Sequence, residues 1–204
     1  MEAILAPLDK CETIGDALSR AFVEDPVCCY VFRTREARLR KMRWIFTRWL
    51  RVLIPHGSVY TTPDFSGAAL WHPPERGPSV GICEQLRAGF LPVVFVLNPC
   101  EQARGLRAHL DAVGRMKRFM TEPHWEIDTL GVAPEHHGKG IAASLLRPVL
   151  DKADEEGVPC FVNTHSSGNV PFYERFGFQL IHQSPMPGTT ITVYSMRRVA
   201  AGNS

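Results

Sequence analysis

The chain has 204 residues, of which 45% are hydrophobic and 22% are charged, and its formal net charge is +2. This length and composition predict one soluble globular domain, residues 1–204, with a sizeable core. The near-neutral charge balance gives no reason to expect nucleic acid or a membrane surface as a partner.

The cysteines and the apolar stretches indicate the compartment and the absence of metal. No basic stretch followed by a long apolar one begins the chain, so no signal peptide is expected. The apolar residues 90–97 are interrupted by Pro92 and are too few to span a bilayer. Six cysteines without a C-x-x-C pair predict reduced thiols in a cytoplasmic protein, and no histidine spacing predicts a metal site.

The amino-terminal part of the chain is predicted to mix strands and helices. Strands are expected at residues 3–6, 58–62 and 68–71, and helices at residues 13–23, 35–53, 80–88 and 101–119. The first helix is predicted to start at a cap on Glu12 or Thr13 and to be broken by Asp25-Pro26. In the helix over residues 35–53 the apolar side chains share one face, and we expect the opposite, basic face to be solvated.

The carboxy-terminal part has a stronger pattern. A strand over residues 125–132 leads through a glycine-containing loop into a helix over residues 141–153, which Pro148 is expected to bend. A strand at residues 160–163 and a short helix near Gly168-Asn169 follow. Residues 178–183 and 189–196 are predicted to close the sheet as a hairpin.

Two glycines at the start of the helix over residues 141–153 predict a phosphate site. Gly138 and Gly140 leave backbone N–H groups uncovered at the positive end of the helix dipole. A Walker loop is excluded, because Ala133 stands in place of the first glycine and Gly140 follows Lys139. The dinucleotide fingerprint is matched by Gly138, Gly140 and Ala143, but five residues separate it from the strand and the next strand lacks an acidic end.

A longer pattern fits this region better. The run V-A-P-E-H-H-G-K-G-I-A from Val132, followed by N-V-P-F-Y-E-R-F-G-F from Asn169, resembles the GNAT superfamily of acyl-CoA-dependent N-acetyltransferases. The second block is most similar to the puromycin N-acetyltransferase branch. The resemblance covers about a quarter of the chain, a donor-binding core at residues 124–178. Weaker similarities lie at Ala21-Phe22 and Asp25-Pro26.

The resemblance implies a fold and an activity. The implied fold is α+β, with a mixed, mostly antiparallel central sheet that is splayed at the acyl-CoA site and flanked by helices. The implied activity is acetyl transfer from acetyl-CoA to the primary amine of a small molecule, by direct attack in a ternary complex. The alternatives are a protein N-terminal or lysine acetyltransferase, a non-catalytic acyl-CoA sensor and, more distantly, a dinucleotide oxidoreductase. The acceptor and the oligomeric state are not specified by the sequence.

The resemblance also implies roles on the strand before the loop. The backbone N–H of Val132 is expected to face the thioester oxygen, where the strand ending at Leu130-Gly131-Val132 bulges and splays. Gly131 either permits this irregular backbone or merely eases packing. Glu126 takes the position of a general base, and Asp128 is expected to hold the substrate ammonium. Alternatively, both carboxylates are exposed or paired with Arg or Lys.

Further roles follow after the loop. Tyr173 takes the position of the general acid that protonates the thiolate, although it could equally be a core residue. Asn169 is expected to cap the short helix and to bond the pantetheine arm. The residues expected to bind acetyl-CoA are Leu130, Val132, His137, Gly138, Lys139, Gly140, Ile141, Ala142 and Asn169. Glu135 stands where the family usually has Gln or Arg, so coenzyme A is expected to bind with an affinity that this carboxylate affects.

Overall fold

A mixed sheet forms the centre of the molecule. The computed structural model describes residues 2–75 and 82–201. Its strands are β1 (Ile4–Leu5), β2 (Val59–Thr61), β3 (Gly67–His72), β4 (Trp125–Val132), β5 (Cys160–Thr164), β6 (Gln179–Pro185) and β7 (Thr192–Arg198). They are ordered β1-β2-β3-β4-β5-β7-β6, and every neighbouring pair is antiparallel except β4 and β5. The predicted mixed, mostly antiparallel sheet is confirmed.

Helices cover both faces of this sheet. They are α1 (Cys11–Ala21), α2 (Pro26–Val31), α3 (Arg35–Leu53), α4 (Ile82–Arg87), α5 (Val93–Val96), α6 (Pro99–Phe119), α7 (Ile141–Glu156) and α8 (Val170–Glu174). Alternate residues of β3 belong to different cores: Ala69 and Trp71 pack with α7, whereas Ala68 and Leu70 pack with α1 and α3. Because β3 is buried on both faces, its residues are apolar along nearly its whole length.

The parallel strands separate after a short pairing. Residues 125–127 of β4 pair with residues 160–162 of β5, and beyond them the two strands have no register with each other. The Ala133 N–H donates to the Ser66 carbonyl at 2.8 Å. By the alternation of an antiparallel ladder, the N–H groups of Leu130 and Val132 then point away from β3, into the gap beside β5.

The irregularity in β4 lies earlier than the sequence suggested. Leu70 pairs with Thr129 and Trp71 with Ile127, so Asp128 is the extra residue, and the expected bulge at residues 130–132 is wrong. A Cβ on Gly131 would lie 2.7 Å from the Phe22 ring. The structure therefore supports the packing alternative for Gly131, which lets the end of α1 approach β4.

Several helix starts also differ from the predictions. α1 begins at Cys11 with Lys10 as the N-cap and no side-chain cap, so a cap at Glu12 or Thr13 is wrong. α2 was not predicted, because Pro26 was interpreted only as a breaker, whereas proline is favoured in the first helical turn. α7 continues through Pro148 to Glu156. α4 begins at Ile82, and residues 80 and 81 of the predicted helix lie outside the described residues.

The basic face of α3 is only partly solvated. Arg38 is 8% exposed and donates to the backbone carbonyls of Val23 and Phe32, and Lys41 donates to Glu101 at 2.7 Å. For these two side chains the expectation of a solvated face is wrong, because carbonyls and a carboxylate of neighbouring segments satisfy them. No helix in residues 2–75 and 82–201 is long and apolar enough to cross a membrane.

Candidate active site

A cleft of about 1060 Å³ opens where β4 separates from β5. The end of β4, the loop before α7, the first turn of α7, α8 and the connection from α1 to α2 all contribute to its walls. The lining residues that the sequence predicted are Leu130, Val132, His137, Gly138, Gly140, Ile141, Ala142, Asn169 and Tyr173. Lys139, Glu126 and Asp128 do not line it.

The start of α7 presents backbone donors to this cleft. Gly138 has φ +76° and Gly140 has φ +72°, in the left-handed region that other residues enter only with strain. Gly140 is the N-cap and provides no side-chain cap, and the N–H groups of the first helical turn have no acceptor within the helix. Because Ile141 and Ala142 line the cleft, these donors and the positive end of the helix dipole suit a phosphate group.

Two arginines that the sequence analysis missed add positive charge. Arg147 and Arg175 both line the cleft. Arg147 lies seven residues after Gly140, on the same face of α7, so helical spacing could have identified it. Arg175 lies within the second motif, two residues after Tyr173.

The loop side chains have local partners. The His137 ring nitrogen Nε2 lies 2.9 Å from the Val132 carbonyl, so the ring ties the loop to the end of β4. Lys139 Nζ lies 3.4 Å from the Glu135 carbonyl instead of lining the cleft. The Glu135 carboxylate is 51% exposed and lies 3.2 Å from Arg20. A hydrogen bond from its own backbone lowers the pKa of Glu135, and Arg20 compensates the resulting charge.

The Tyr173 side chain packs in the core and also lines the cleft. The residue is 6% exposed, and its ring centroid lies 5.2 Å from that of Phe172 and 5.6 Å from that of Phe178. Burial raises the pKa of Tyr173, so the phenol is protonated at neutral pH. A protonated hydroxyl at the wall of the cleft can donate a proton to a bound ligand.

Asn169 does not cap α8. Its side-chain amide donates to Thr164 Oγ1 at 3.0 Å, and the residue makes no capping hydrogen bond. Its backbone is helical, with φ −83° and ψ −20°, whereas a capping side chain requires an extended backbone. The predicted cap is therefore wrong. The side chain connects the beginning of α8 to the end of β5.

Glu126 and Asp128 lie in a separate cluster on the α3 side of the sheet. Asp128 accepts hydrogen bonds from Trp49 Nε1 at 2.9 Å and from Thr129 Oγ1 at 2.8 Å, and His72 Nε2 lies 3.4 Å away. His72 is the cross-strand neighbour of Glu126. Within the described residues, Glu126 Oε2 is buried without a hydrogen-bond partner. The alternative of solvent exposure holds in part for Asp128, whose side chain is 26% exposed, whereas pairing with Arg or Lys is not observed among the described residues.

The cluster separates the protonation states of its two carboxylates. The pKa of Glu126 is raised to about 7, chiefly by burial. The charge of His72 acts to lower this pKa, and the charge of Asp128 acts to raise it. Burial would also raise the pKa of Asp128, but the hydrogen bonds and charge of His72, with the hydrogen bonds of Thr129 and Trp49, lower it. Glu126 can therefore exchange a proton near neutral pH. The sequence analysis missed His72 and Trp49, because only strand register and helix packing bring them to Asp128.

Comparisons with known proteins agree with this architecture. The acetyltransferase (GNAT) family model matches residues 101–178. An uncharacterised N-acetyltransferase of Schizosaccharomyces pombe is 29% identical over 167 residues, which are 78% of this chain and 66% of that protein, just under two thirds of its length.

Solved structures share the fold over nearly the whole chain. Arylalkylamine N-acetyltransferase 2 of Aedes aegypti is similar with a TM-score of 0.63 and 14% identity, over 98% of both chains. A Drosophila melanogaster polyamine N-acetyltransferase, which forms N-acetylagmatine, has a TM-score of 0.57 and 15% identity, over 97% of this chain and 98% of that one. At these identities the likeness shows the α+β GNAT fold.

Proposed function

We propose that the chain is a GNAT N-acetyltransferase, which its match to the family model over residues 101–178 and its fold support, and that it transfers an acetyl group from acetyl-CoA to the primary amine of a small molecule. The observation that carries this proposal is the cleft, where the splayed end of β4, the start of α7 and Tyr173 surround one space. A ligand with a pyrophosphate at one end and a thioester at the other requires these three features together. The motif from Asn169 further supports a place near the puromycin N-acetyltransferase branch, and we propose a cytoplasmic protein.

The start of α7 is proposed to hold the pyrophosphate. A Cβ on Gly138 or Gly140 would meet nothing within 4 Å, so the backbone there is open to a ligand. The first-turn N–H groups, from Ile141 onward, provide donors, and Arg147 and Arg175 provide charge. Asn169, which lines the same cleft, is proposed to bond the pantetheine arm.

The end of β4 is proposed to polarise the thioester. The Val132 N–H points into the gap between β4 and β5, where it can donate to the thioester oxygen as negative charge develops there. A donor that is fixed by a β-ladder needs no reorganisation when the reaction occurs. The sheet therefore pre-organises this hydrogen bond, and Leu130 supplies a second N–H with the same direction.

Glu126 is proposed to remove the proton that the acceptor must lose. An alkyl ammonium has a pKa of about 10, so a base must act before the amine can attack. The pKa of Glu126 near 7 and its unpartnered Oε2 suit this role, through a water molecule. Asp128 already accepts from Trp49 and Thr129 and lies beside His72, so we assign it to raising the pKa of Glu126 instead of holding the substrate.

Tyr173 is proposed to protonate the departing thiolate. A thiolate with a pKa of about 8.5 leaves more readily when an acid is in place. Tyr173 is protonated at neutral pH, as tyrosines ordinarily are, and lines the cleft with Val132; because burial raises its pKa, its hydroxyl acts as a hydrogen-bond donor that shares its proton with the developing thiolate. Direct attack by the amine then requires no covalent enzyme intermediate.

One experiment separates this proposal from its alternatives. The protein is incubated with acetyl-CoA and either agmatine, tyramine or a peptide with a free amino terminus and a lysine, while free thiol and acetylated product are measured. We expect faster thiol release with a small amine, and initial rates that intersect when both substrates are varied. Acetyl-CoA binding without acceleration by any amine would support the sensor alternative. Acetylation of the peptide alone would support a protein acetyltransferase.

A further inference from the structure

A third carboxylate, Asp25, lines the same cleft as Val132 and Tyr173. It lies between α1 and α2, on the wall opposite α7 and α8, and its side chain is 19% exposed. Glu126 and Asp128 do not line this cleft. Of the two carboxylates that line the cleft, Glu24 is 67% exposed and lies beside Arg35 and Arg38, whereas Asp25 is largely shielded from water.

The two oxygens of Asp25 have different partners within the described residues. Oδ1 accepts from the backbone N–H of Val27 at 2.9 Å and of Cys28 at 3.0 Å, which caps α2. Oδ2 lies 4.0 Å from the Nδ1 atom of His165, which is too long for a hydrogen bond. Oδ2 is thus available to a ligand in the cleft.

Within residues 2–75 and 82–201, no protonated side chain is found paired with the Asp25 carboxylate. Burial lowers the pKa of His165. The charges of Asp25 and Asp111 act in the opposite direction, and the charge of Arg115 lowers the pKa further, so the imidazole is neutral at pH 7. Arg115 donates to Asp111 at 2.8 Å, which commits that guanidinium elsewhere. Shielding a carboxylate from water costs free energy unless a cation or further hydrogen-bond donors contact it.

The ends of the cleft differ in charge. Arg147 and Arg175 lie on the side of α7 and α8, where the proposed pyrophosphate binds, and Asp25 lies on the opposite wall. An anionic acceptor would be repelled by Asp25, and a neutral one would leave its charge unmatched. The chemistry that matches Oδ2 is a positively charged nitrogen with N–H donors.

From this geometry we infer that Asp25 Oδ2, with the neutral ring of His165 beside it, binds a cationic nitrogen of the acceptor. The acceptor class is therefore an alkylammonium compound, such as a diamine or an arylalkylamine, and not a neutral aryl amine. This inference rests on the proposed function, because it names the acceptor of the same site. Asp25 recognises the cation. The ammonium loses two protons as it becomes an amide: one passes through water to Glu126, which lies outside the cleft, before the attack, and the second balances the proton that Tyr173 gives to the thiolate.

The test uses Asp25→Asn, which removes the charge but keeps an oxygen that can cap α2. Binding of agmatine and of tyramine is measured by calorimetry on the complex with coenzyme A, so that no turnover occurs. We expect the wild type to bind at least one of them and the variant to bind it at least about tenfold more weakly. The coenzyme A affinity should stay within about twofold, which also reports that the variant is folded.

A matched control removes the neighbouring charge. Glu24→Gln changes the other carboxylate that lines the cleft, whose side chain is 67% exposed and already lies 3.5 Å from Arg35 and 3.4 Å from Arg38. We expect this variant to weaken amine binding by less than about twofold, because an exposed charge is screened by water. A second measurement needs no variant: the His165 imidazole resonances should titrate at lower pH in the presence of the amine, because a cation beside Asp25 opposes protonation.

The outcomes decide the acceptor site and the proposed function separately. Equal amine binding by the wild type and Asp25→Asn, an unmoved His165 titration, or no binding of either amine to the wild type would overturn the acceptor site. Asp25-dependent amine binding in a protein that releases no thiol would support the site and count against catalysis. Turnover of an amine that binds independently of Asp25 would support catalysis and reject the site.

Discussion

The proposed donor side and the proposed acceptor side of this molecule are built in different ways. The donor side takes the end of β4, the glycine loop, α7 and α8 from one continuous stretch, residues 130–175. The proposed acceptor side combines Asp25 of the cleft wall with Trp49, His72 and Glu126 of the separate cluster, which come from four distant parts of the chain. A phosphate can be bound by the backbone N–H groups of a single helical turn, whereas an amine must be met by side chains that only folding brings together.

Phe90 and α6, which lie between β3 and β4 in the chain, cover the proposed acceptor side. Phe90 contacts the rings of Trp44 and Trp49, with centroids 5.9 and 6.2 Å apart. On α6, Arg115 donates to Ser184 Oγ at 2.8 Å and to the Pro185 carbonyl at 3.0 Å. These contacts hold the helices over the face of the sheet that carries Glu126. The difference teaches that the donor site is defined by local sequence and the acceptor site by long-range packing.

The largest expected effect tests the donor side. Tyr173→Phe removes the proposed acid but keeps the ring that packs on Phe172 and Phe178, so kcat should fall about 100-fold or more. Steady-state kinetics and calorimetry should show an acetyl-CoA Kd within about twofold of the wild type. Tyr60→Phe, on β2, is the control. Parallel losses of affinity and turnover in Tyr173→Phe would indicate packing as the main role of this tyrosine.

A comparable loss is expected on the acceptor side. With Glu126 as the base, the wild-type kcat/KM should fall as pH decreases below about 7, because protonated Glu126 cannot accept a proton. Glu126→Gln should lower kcat about 100-fold and remove this pH dependence. A pH–rate profile that is unchanged in the variant would assign the base elsewhere.

The same residue makes a prediction about stability. The pKa of Glu126 is higher in the folded chain than its ordinary value of 4.5, so the folded state binds the proton more tightly than the unfolded state. Its stabilising contribution is present below pH 4.5 and is lost as pH rises towards about 7. Glu126→Gln should therefore raise Tm at pH 8, by an amount that shrinks at pH 4.5. Thermal melts at both values provide the measurement, and a uniform change would contradict the assigned shift.

A smaller effect is expected at the glycine loop. Gly140→Ala places a side chain on a residue with φ +72°, which costs about 1–2 kcal/mol of strain. The variant should lower Tm and weaken acetyl-CoA binding roughly tenfold, because the first turn of α7 must shift. The control Gly105→Ala, inside α6 with open space at its Cβ, should instead stabilise the fold by about 0.5–1 kcal/mol. Unchanged affinity in Gly140→Ala would separate this loop from the donor site.

The smallest effect concerns Glu135. Its carboxylate is exposed, paired with Arg20 and absent from the lining of the cleft. Glu135→Gln should therefore change the acetyl-CoA Kd by less than about threefold, measured at low and at high salt. A much tighter complex in the variant would mean that this charge opposes the pyrophosphate, as the comparison of sequence motifs first suggested.

Strong local patterns allowed parts of the fold to be predicted closely. The bounds of α3 (Arg35–Leu53) and β4 (Trp125–Val132) coincide with the predictions, because a long amphipathic repeat and an eight-residue strand pattern are each self-sufficient signals. The glycine loop was recognised for a similar reason, because a backbone with positive φ favours glycine at that position whatever residues surround it. Shorter elements such as α2 and α5 lacked such a repeat and were missed.

By itself, the sequence indicated a resemblance to the GNAT family, the sheet with its helices and the segment expected to hold the donor. Tertiary structure alone decided that β4 bulges at Asp128, that His72 and Trp49 meet this carboxylate, and that Asp25 opens to the cleft with Tyr173. The physical reason is the separation along the chain over which each effect acts. Glycine stereochemistry and helix dipoles act within a few residues, whereas the burial that shifts the pKa of Glu126 depends on distant elements packing around it.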